Sequence, residues 1–401
     1  MTSLLQDVSF RNLYLASAGS AFGAQVGYVA LPLLAVTALH AGPGEVGLLS
    51  GLGTIAVLLV GLPAGAWVDR VRRRPVMIVA DLLRAALLFS LPVAAWFGGL
   101  SMPQLYAVAV CTGVGTLFFD VASMSVTPQL VGRDRLTAAN SMLVGTNAAM
   151  DISGRSFAGV LVGAAGAPVA LLLNAVTYLW SAAFVWRVAV PELPAPPARE
   201  GIAAQISEGV RFVFGHQVLR PILLMGTMTN LGFPLMSVLL PILIVQQLGY
   251  PEWVLGLFLA VGGLGVLAGS STAHVVGKRL GRGRAAWLLS LVTTPAGLLV
   301  PVLDGGVWIW VAAAAWFVLT YRTGLNNVLL VSFRQEVTPD EMLGRMTATM
   351  RLLLMGAVGI GGLLAGIIGE VWGVHAAMWA GAAFMSLSWV PLHFSSLRDS
   401  R

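Results

Sequence analysis

Apolar residues run along this chain in stretches of about 20, the length a helix needs to cross a bilayer. Short turns of glycine, proline or charge separate them. The stretches fall near residues 11–39, 45–68, 75–98, 103–127, 141–165 and 168–188, then near 219–247, 252–276, 285–303, 307–331, 346–369 and 373–394. The pattern predicts an all-α membrane protein whose twelve spanning helices form two groups of six. The first run, from Leu13 to Leu39, is too long for the apolar part of a cleaved leader and reads as the first span.

Residues 189–218 carry the long interruption, so 1–188 and 219–401 are expected to be the two bundles. The interruption opens with PELPAPP, which cannot continue a helix. In it Ile202, Ile206, Val210 and Val213 then recur at helical spacing, which predicts a short amphipathic helix on the inner membrane surface.

Composition agrees with a membrane protein: of 401 residues, 57% are apolar and 10% charged, against about 25% charged in soluble domains. Mean hydropathy is +0.86. The formal charge of +6 could suggest nucleic acid as a partner. However, 19 of the 23 lysines and arginines cluster in alternate turns, and the intervening turns hold none. That asymmetry sets orientation in a membrane, with basic turns inside. It places both termini in the cytoplasm and gives the chain a lipid bilayer as partner, with no nucleic acid. The lone cysteine, Cys111, permits no internal disulfide. No two histidines have metal-ligand spacing.

The halves echo each other. TPQLVGRDRLTAAN after the fourth run pairs with FRQEVTPDEMLGRM after the tenth, aligning Gln129 with Gln335, Val131 with Val337 and Asp134 with Asp340. The loop after the second run, GLPAGAWVDRVRRRP at 61–75, has a degraded partner in VGKRLGRGR, with Lys278 in place of Asp69. Repeats of six spans mark secondary transporters, whose substrate route lies between the repeats.

These stretches, together with VADLLRA in the third run and SEGVRFVFGHQVLR in the centre, resemble the major facilitator superfamily over the whole chain. The likeness is to its drug and siderophore exporters, including the macrolide-efflux and enterobactin-exporter groups. It implies a fold of two pseudo-symmetric six-helix bundles. It also implies a gating motif at Gly65, Asp69, Arg70, Arg73 and Arg74; Arg72 stands where the family has a second glycine. In the family this loop latches the cytoplasmic gate. Topology alone accounts for the arginines but not for Asp69, since acids contribute little to orientation.

Charges within spans are costly and point to function. Asp81 and Arg84, three apart, read as a structural pair. Asp151 and Arg155, four apart, lie in a helix where the family's exporters carry Gly-Pro-x-x-Gly-Gly; here GRSFAG puts Arg155 at the proline. Asp151 reads equally as a proton carrier or as half of a permanent salt bridge. Asp120 has no basic residue within a turn of sequence, and Arg322 and Asn326 occupy the pseudo-equivalent tenth run. Asp120, Asp151, Arg155 and Arg322 are therefore the proton-coupling candidates, with Asp120–Arg322 bridging as the static alternative. Phe22, Tyr28, Phe119, Asn147, Phe233 and Asn326 are candidates for lining a substrate cavity.

No phosphate-binding loop occurs, so ATP is not the expected energy source, and no embedded-protease pattern supports an enzyme. The reading is a monomeric, cofactor-free secondary exporter in the cell membrane, driven by the proton gradient and handling a small amphipathic molecule such as a drug, macrolide-like compound or siderophore. An importer of a small metabolite or a non-transporting sensor on the same scaffold are the alternatives. If the loop is a latch, Asp69→Asn leaves abundance unchanged and impairs transport; full transport by that variant would remove the latch.

Overall fold

The computed structural model describes residues 2–68, 70–132, 135–189 and 202–395, and among them every regular element is helical. The elements of the first half are α1 (Val8–Ala38), α2 (Pro43–Val68), α3 (Arg73–Trp96), α4 (Met102–Val131), α5 (Leu136–Ala165) and α6 (Ala167–Trp186). A helix α7 (Ile202–Gly215) follows. The second half holds α8 (Leu219–Ser237), α9 (Glu252–Leu280), α10 (Arg282–Thr293), α11 (Trp308–Glu336), α12 (Asp340–Trp372) and α13 (Val374–Ser386).

Local chemistry sets several boundaries. The Asp7 carboxylate caps α1, accepting from the amides of Ser9 at 2.9 Å and Phe10 at 3.0 Å. Two expected helices change their winding part-way. Beyond α8, past Pro241, Ile242–Gln247 form a π-helical turn, and α10 tightens into the 3-10 segment Thr294–Val302, which holds prolines 295 and 301. Proline removes a backbone donor and so favours such departures. The last expected span is likewise divided, with a turn after Ser386 and a short helix at Val390–His393.

Nine of these stretches are long and apolar enough to cross a membrane among the described residues. The other three expected spans correspond to α5, α11 and α13, which are helical but fall short in length or in apolar content. Two of them, α5 and α11, carry Arg155 and Arg322.

The chain divides into two compact units. In the first, α1 packs on α5 and α6, while α3 packs on α4 and α6. In the second, α8 packs on α12 and α13, while the 3-10 end of α10 packs on α11 and α13. The same set of neighbours thus recurs, as the sequence echo requires. The connections recur as well. Gly166 and Gly373 join the fifth helix to the sixth of each half at φ 84° and 88°, and Gly98 and Gly306, between the third and fourth, share φ 69°. These are left-handed backbone conformations that only glycine adopts without strain. Between the first and second helices, Gly249 has φ 67°, but its partner His40 holds φ 53°, alone among the described non-glycine residues.

Two short segments belong to the unit opposite to their sequence half: 42–51 to the second unit and 251–257 to the first. Glycine contacts bind both. A Cβ on Gly47 would lie 2.3 Å from Gly366 Cα, and one on Gly159 would lie 1.9 Å from Gly256 Cα. Backbones approach this closely where glycine leaves no side chain between the helices. The Gly44 amide also donates to Glu370 Oε2 at 3.0 Å, a carboxylate at the amino end of α2.

The amphipathic α7 docks onto its own unit. Val213 is buried with Met346 and Met350 of α12, Glu208 pairs with Arg345, and a Cβ on Gly209 would meet Thr349 Oγ1 at 2.4 Å. The side chains of Ile202 and Ile206 lie outside the described residues.

A left-handed backbone costs a residue with a Cβ roughly 1–2 kcal/mol, partly offset by the greater unfolded-state freedom of glycine. His40→Gly is expected to match or exceed wild-type stability in thermal unfolding, and His40→Val to melt lower.

Candidate functional site

Helices α1 and α5 bring together an aromatic and polar cluster in the first unit. Phe22, Gln25 and Tyr28 follow one another at three-residue steps along α1. Opposite them, Gly154 has no side chain; a Cβ there would lie 2.8 Å from Gln25 Cβ and 3.0 Å from the Phe22 carbonyl oxygen. The close approach places Arg155 on α1. Its Nε donates to Gln25 Oε1 at 2.8 Å, and its guanidinium sits 4.7 Å from the centroid of the Tyr28 ring. The rings of Phe22 and Phe157 are 5.6 Å apart. Tyr28 is half exposed and Phe157 is exposed, so the cluster opens on one side. Farther along the same pair of helices, the hydroxyls of Tyr14 and Thr146 lie 2.8 Å apart beside the exposed Asn147. The side chain of Asp151, expected to partner Arg155, lies outside the described residues.

Of the loop motif, Gly65 lies within α2 and Asp69 lies outside the described residues. Arg70 is exposed at the turn, and α3 begins at Arg73. The Arg74 guanidinium donates to the carbonyl of Trp186, a cation at the carboxyl end of α6. Arg74 thus binds the loop's exit to protein as well as supplying positive charge.

Asp81 and Arg84 form an ion pair with both side chains fully buried. Arg84 Nη1 donates to Thr116 Oγ1 at 3.0 Å, and the guanidinium lies 4.0 Å from the Tyr178 centroid and 5.1 Å from that of Phe119. Helices α3, α4 and α6 meet on this one side chain. Phe119, expected on a cavity wall, is packed in the core because its ring covers that guanidinium. Asp120, its neighbour, is half-buried and makes a polar contact.

In the second unit, Arg322 is 1% exposed, with Nη1 donating to Ser388 Oγ at 2.7 Å. Asn326, one turn along α11, is also buried and donates from Nδ2 to Ser290 Oγ at 3.2 Å. Phe233 stacks on Trp316, centroids 5.0 Å apart. Sequence reasoning missed Gln25, Phe157, Ser290, Thr116 and Ser388. Gln25 alone had a signal, as an amide inside the apolar run SAFGAQVGYVALPLL.

Repeated six-helix halves, intramembrane charges at corresponding helices and the basic loop after α2 describe a secondary transporter. The sequence model of the Major Facilitator Superfamily matches residues 13–358. The chain belongs to that superfamily. Its relatives include the multidrug efflux pump Tap of Mycolicibacterium fortuitum, 28% identical over 341 residues, covering 82% of this chain and 81% of that one. The enterobactin exporter EntS of Salmonella typhi is 26% identical over 370 residues, covering 90% and 86%. Among solved structures, a bacterial homologue of the iron transporter ferroportin in its inward-facing state gives a TM-score of 0.75 at 16% identity, over 96% of this chain and 97% of that one. The nucleoside transporter NupG gives 0.71 at 12%, over 96% and 97%. The protein is therefore a multi-pass membrane transporter with efflux pumps among its relatives, and not an enzyme.

Removing one member of a buried ion pair costs about 3–5 kcal/mol, while replacing both by apolar groups is close to neutral. Asp81→Ala is thus expected to destabilise the transporter by that amount in denaturant unfolding, and Asp81→Ala/Arg84→Met to recover most of the loss. Additive losses would show that the two charges do not act as a pair.

Proposed function

We propose that this transporter exports a small amphipathic molecule, driven by proton entry, with twelve spans in two bundles alternating access to a central site and both termini in the cytoplasm. The observation that carries the reading is the α1–α5 cluster. Tyr28, Phe22 and Phe157 present aromatic faces beside the Arg155 guanidinium. Rings next to a fixed polar group suit a ligand that is apolar at one end and polar at the other. The efflux relatives support the direction.

Alternating access requires only that proton and substrate bind two conformations unequally. Asp120 and Asp151 are the proposed proton carriers, and Arg155 sets the charge beside Asp151. Asp69 with Arg70, Arg73 and Arg74 is the proposed cytoplasmic latch. The proton gradient replaces a cofactor, the chain works as a monomer, and nucleic acid is not a partner.

Everted membrane vesicles test the proposal. A fluorescent amphipathic dye is expected to accumulate when the lumen is acid and to leak out when nigericin collapses the pH gradient. Tyr28→Ala and Arg155→Gln are expected to lower the initial rate at least tenfold at equal abundance. Asp120→Asn is expected to remove the dependence on the gradient. Dye uptake that is indifferent to nigericin would overturn proton coupling. Wild-type rates in both α1–α5 variants would overturn the site.

A further inference from the structure

The repeat gives a register in which the two units can be compared residue by residue. Lys278 aligns with Asp69, Gln335 with Gln129 and Gly373 with Gly166. Carried along the helices, Ser290 aligns with Asp81, Arg322 with Thr116 and Ser388 with Ser181. Both units therefore hold a buried arginine at the junction of their third, fourth and sixth helices. In the first unit that arginine is Arg84, neutralised by Asp81 on its own helix. In the second it comes from α11, and the position of the acid is a serine.

The consequences are visible in the side chains. Arg322 Nε and Nη2 are buried with no acceptor, so three of its five N–H groups have no partner. Among the described residues no carboxylate pairs with it. Asn326 Oδ1, a turn away, is buried with no donor. Ser290, which accepts from Asn326, is fully buried as well. A protein interior this dry does not hold a bare guanidinium at low cost.

We infer that Arg322, with Asn326, Ser290 and Ser388, is a binding site for a single small monovalent anion: a halide, or a carboxylate no larger than acetate. The guanidinium fork supplies Nε and Nη2 to one side of the ion. Amide oxygen and nitrogen are interchangeable by rotation. Turned over, Asn326 offers Nδ2 to the ion and accepts the Ser290 hydroxyl proton at Oδ1, so the orphaned groups are satisfied together. One positive charge needs one negative charge; sulfate or a phosphate dianion would leave the pocket with net negative charge. The unpartnered atoms have no solvent contact, so the ion is small and enters as the side chains around Arg322 part. The inference does not depend on the direction of transport or on proton coupling.

Thermal unfolding of the full-length protein in detergent, at constant ionic strength, is the test. Sodium gluconate, too large for the site, is replaced stepwise by chloride, bromide or acetate, with sulfate as the divalent control. Chloride, bromide or acetate is expected to raise the melting temperature by several degrees and to saturate, as for any ligand that binds only the folded state. Sulfate is expected not to do so. Ser290→Asp puts a carboxylate where the first unit has Asp81. It is expected to melt above wild type in gluconate and to lose the response to added anion, and Arg322→Met to lose that response too. A response to halides identifies a halide site; a response to acetate alone identifies a site for a small carboxylate. Equal melting of the wild type in gluconate, chloride, bromide and acetate would overturn the site, whether or not the variants can be purified. So would an undiminished response in Arg322→Met.

Discussion

A charge inside the membrane must be neutralised or bonded, and this constraint runs through the whole structure. Arg84 meets it with Asp81, Thr116 and two aromatic rings. Arg155 meets it in part with Gln25 and the Tyr28 face. In each case the side chain that satisfies the charge also brings two or three helices to one place, so the electrostatic requirement becomes a packing requirement. Most of the other basic residues avoid the problem by lying in the turns between apolar runs, outside the hydrocarbon.

Backbone polarity imposes a parallel constraint that is met by helices throughout. What distinguishes one helix contact from another is then the size of the side chains. Gly47 against Gly366 and Gly159 against Gly256 allow backbone contact where bulkier pairs would hold helices apart. Both contacts involve segments that join the unit opposite to their sequence half, so glycine allows close packing where each unit receives a piece of the other repeat.

Much of this was legible in the sequence. Runs of apolar residues marked the helices because the bilayer demands a fixed length, and the basic turns marked their alternation. Asp81 and Arg84 were visible as a pair because three-residue spacing puts them on one helical face. Thr116 and Tyr178 were not, since nothing local in a serine, threonine or tyrosine says which distant arginine it will meet. Ser290, Arg322 and Ser388 are scattered over three elements and carry one charge among them. Phe119 read as a cavity residue because an aromatic in a span has no periodic signature that separates core from cavity. The winding changes after α8 and within α10 were signalled only by their prolines. The docking of α7 was half legible, for its apolar stripe was clear but its partner on α12 was not.

That docking has a bearing on how the polypeptide can be assembled. Val213 buried with Met346 and Met350, and Glu208 against Arg345, make the connecting helix a fixture of the carboxyl-terminal unit rather than a tether shared by both. Two separately synthesised pieces divided ahead of Ile202 would each carry a full complement of six helices, and the later piece would bring its own clasp. A division after Gly215 would strand that clasp on the wrong fragment, leaving Met346 and Met350 without it on the other.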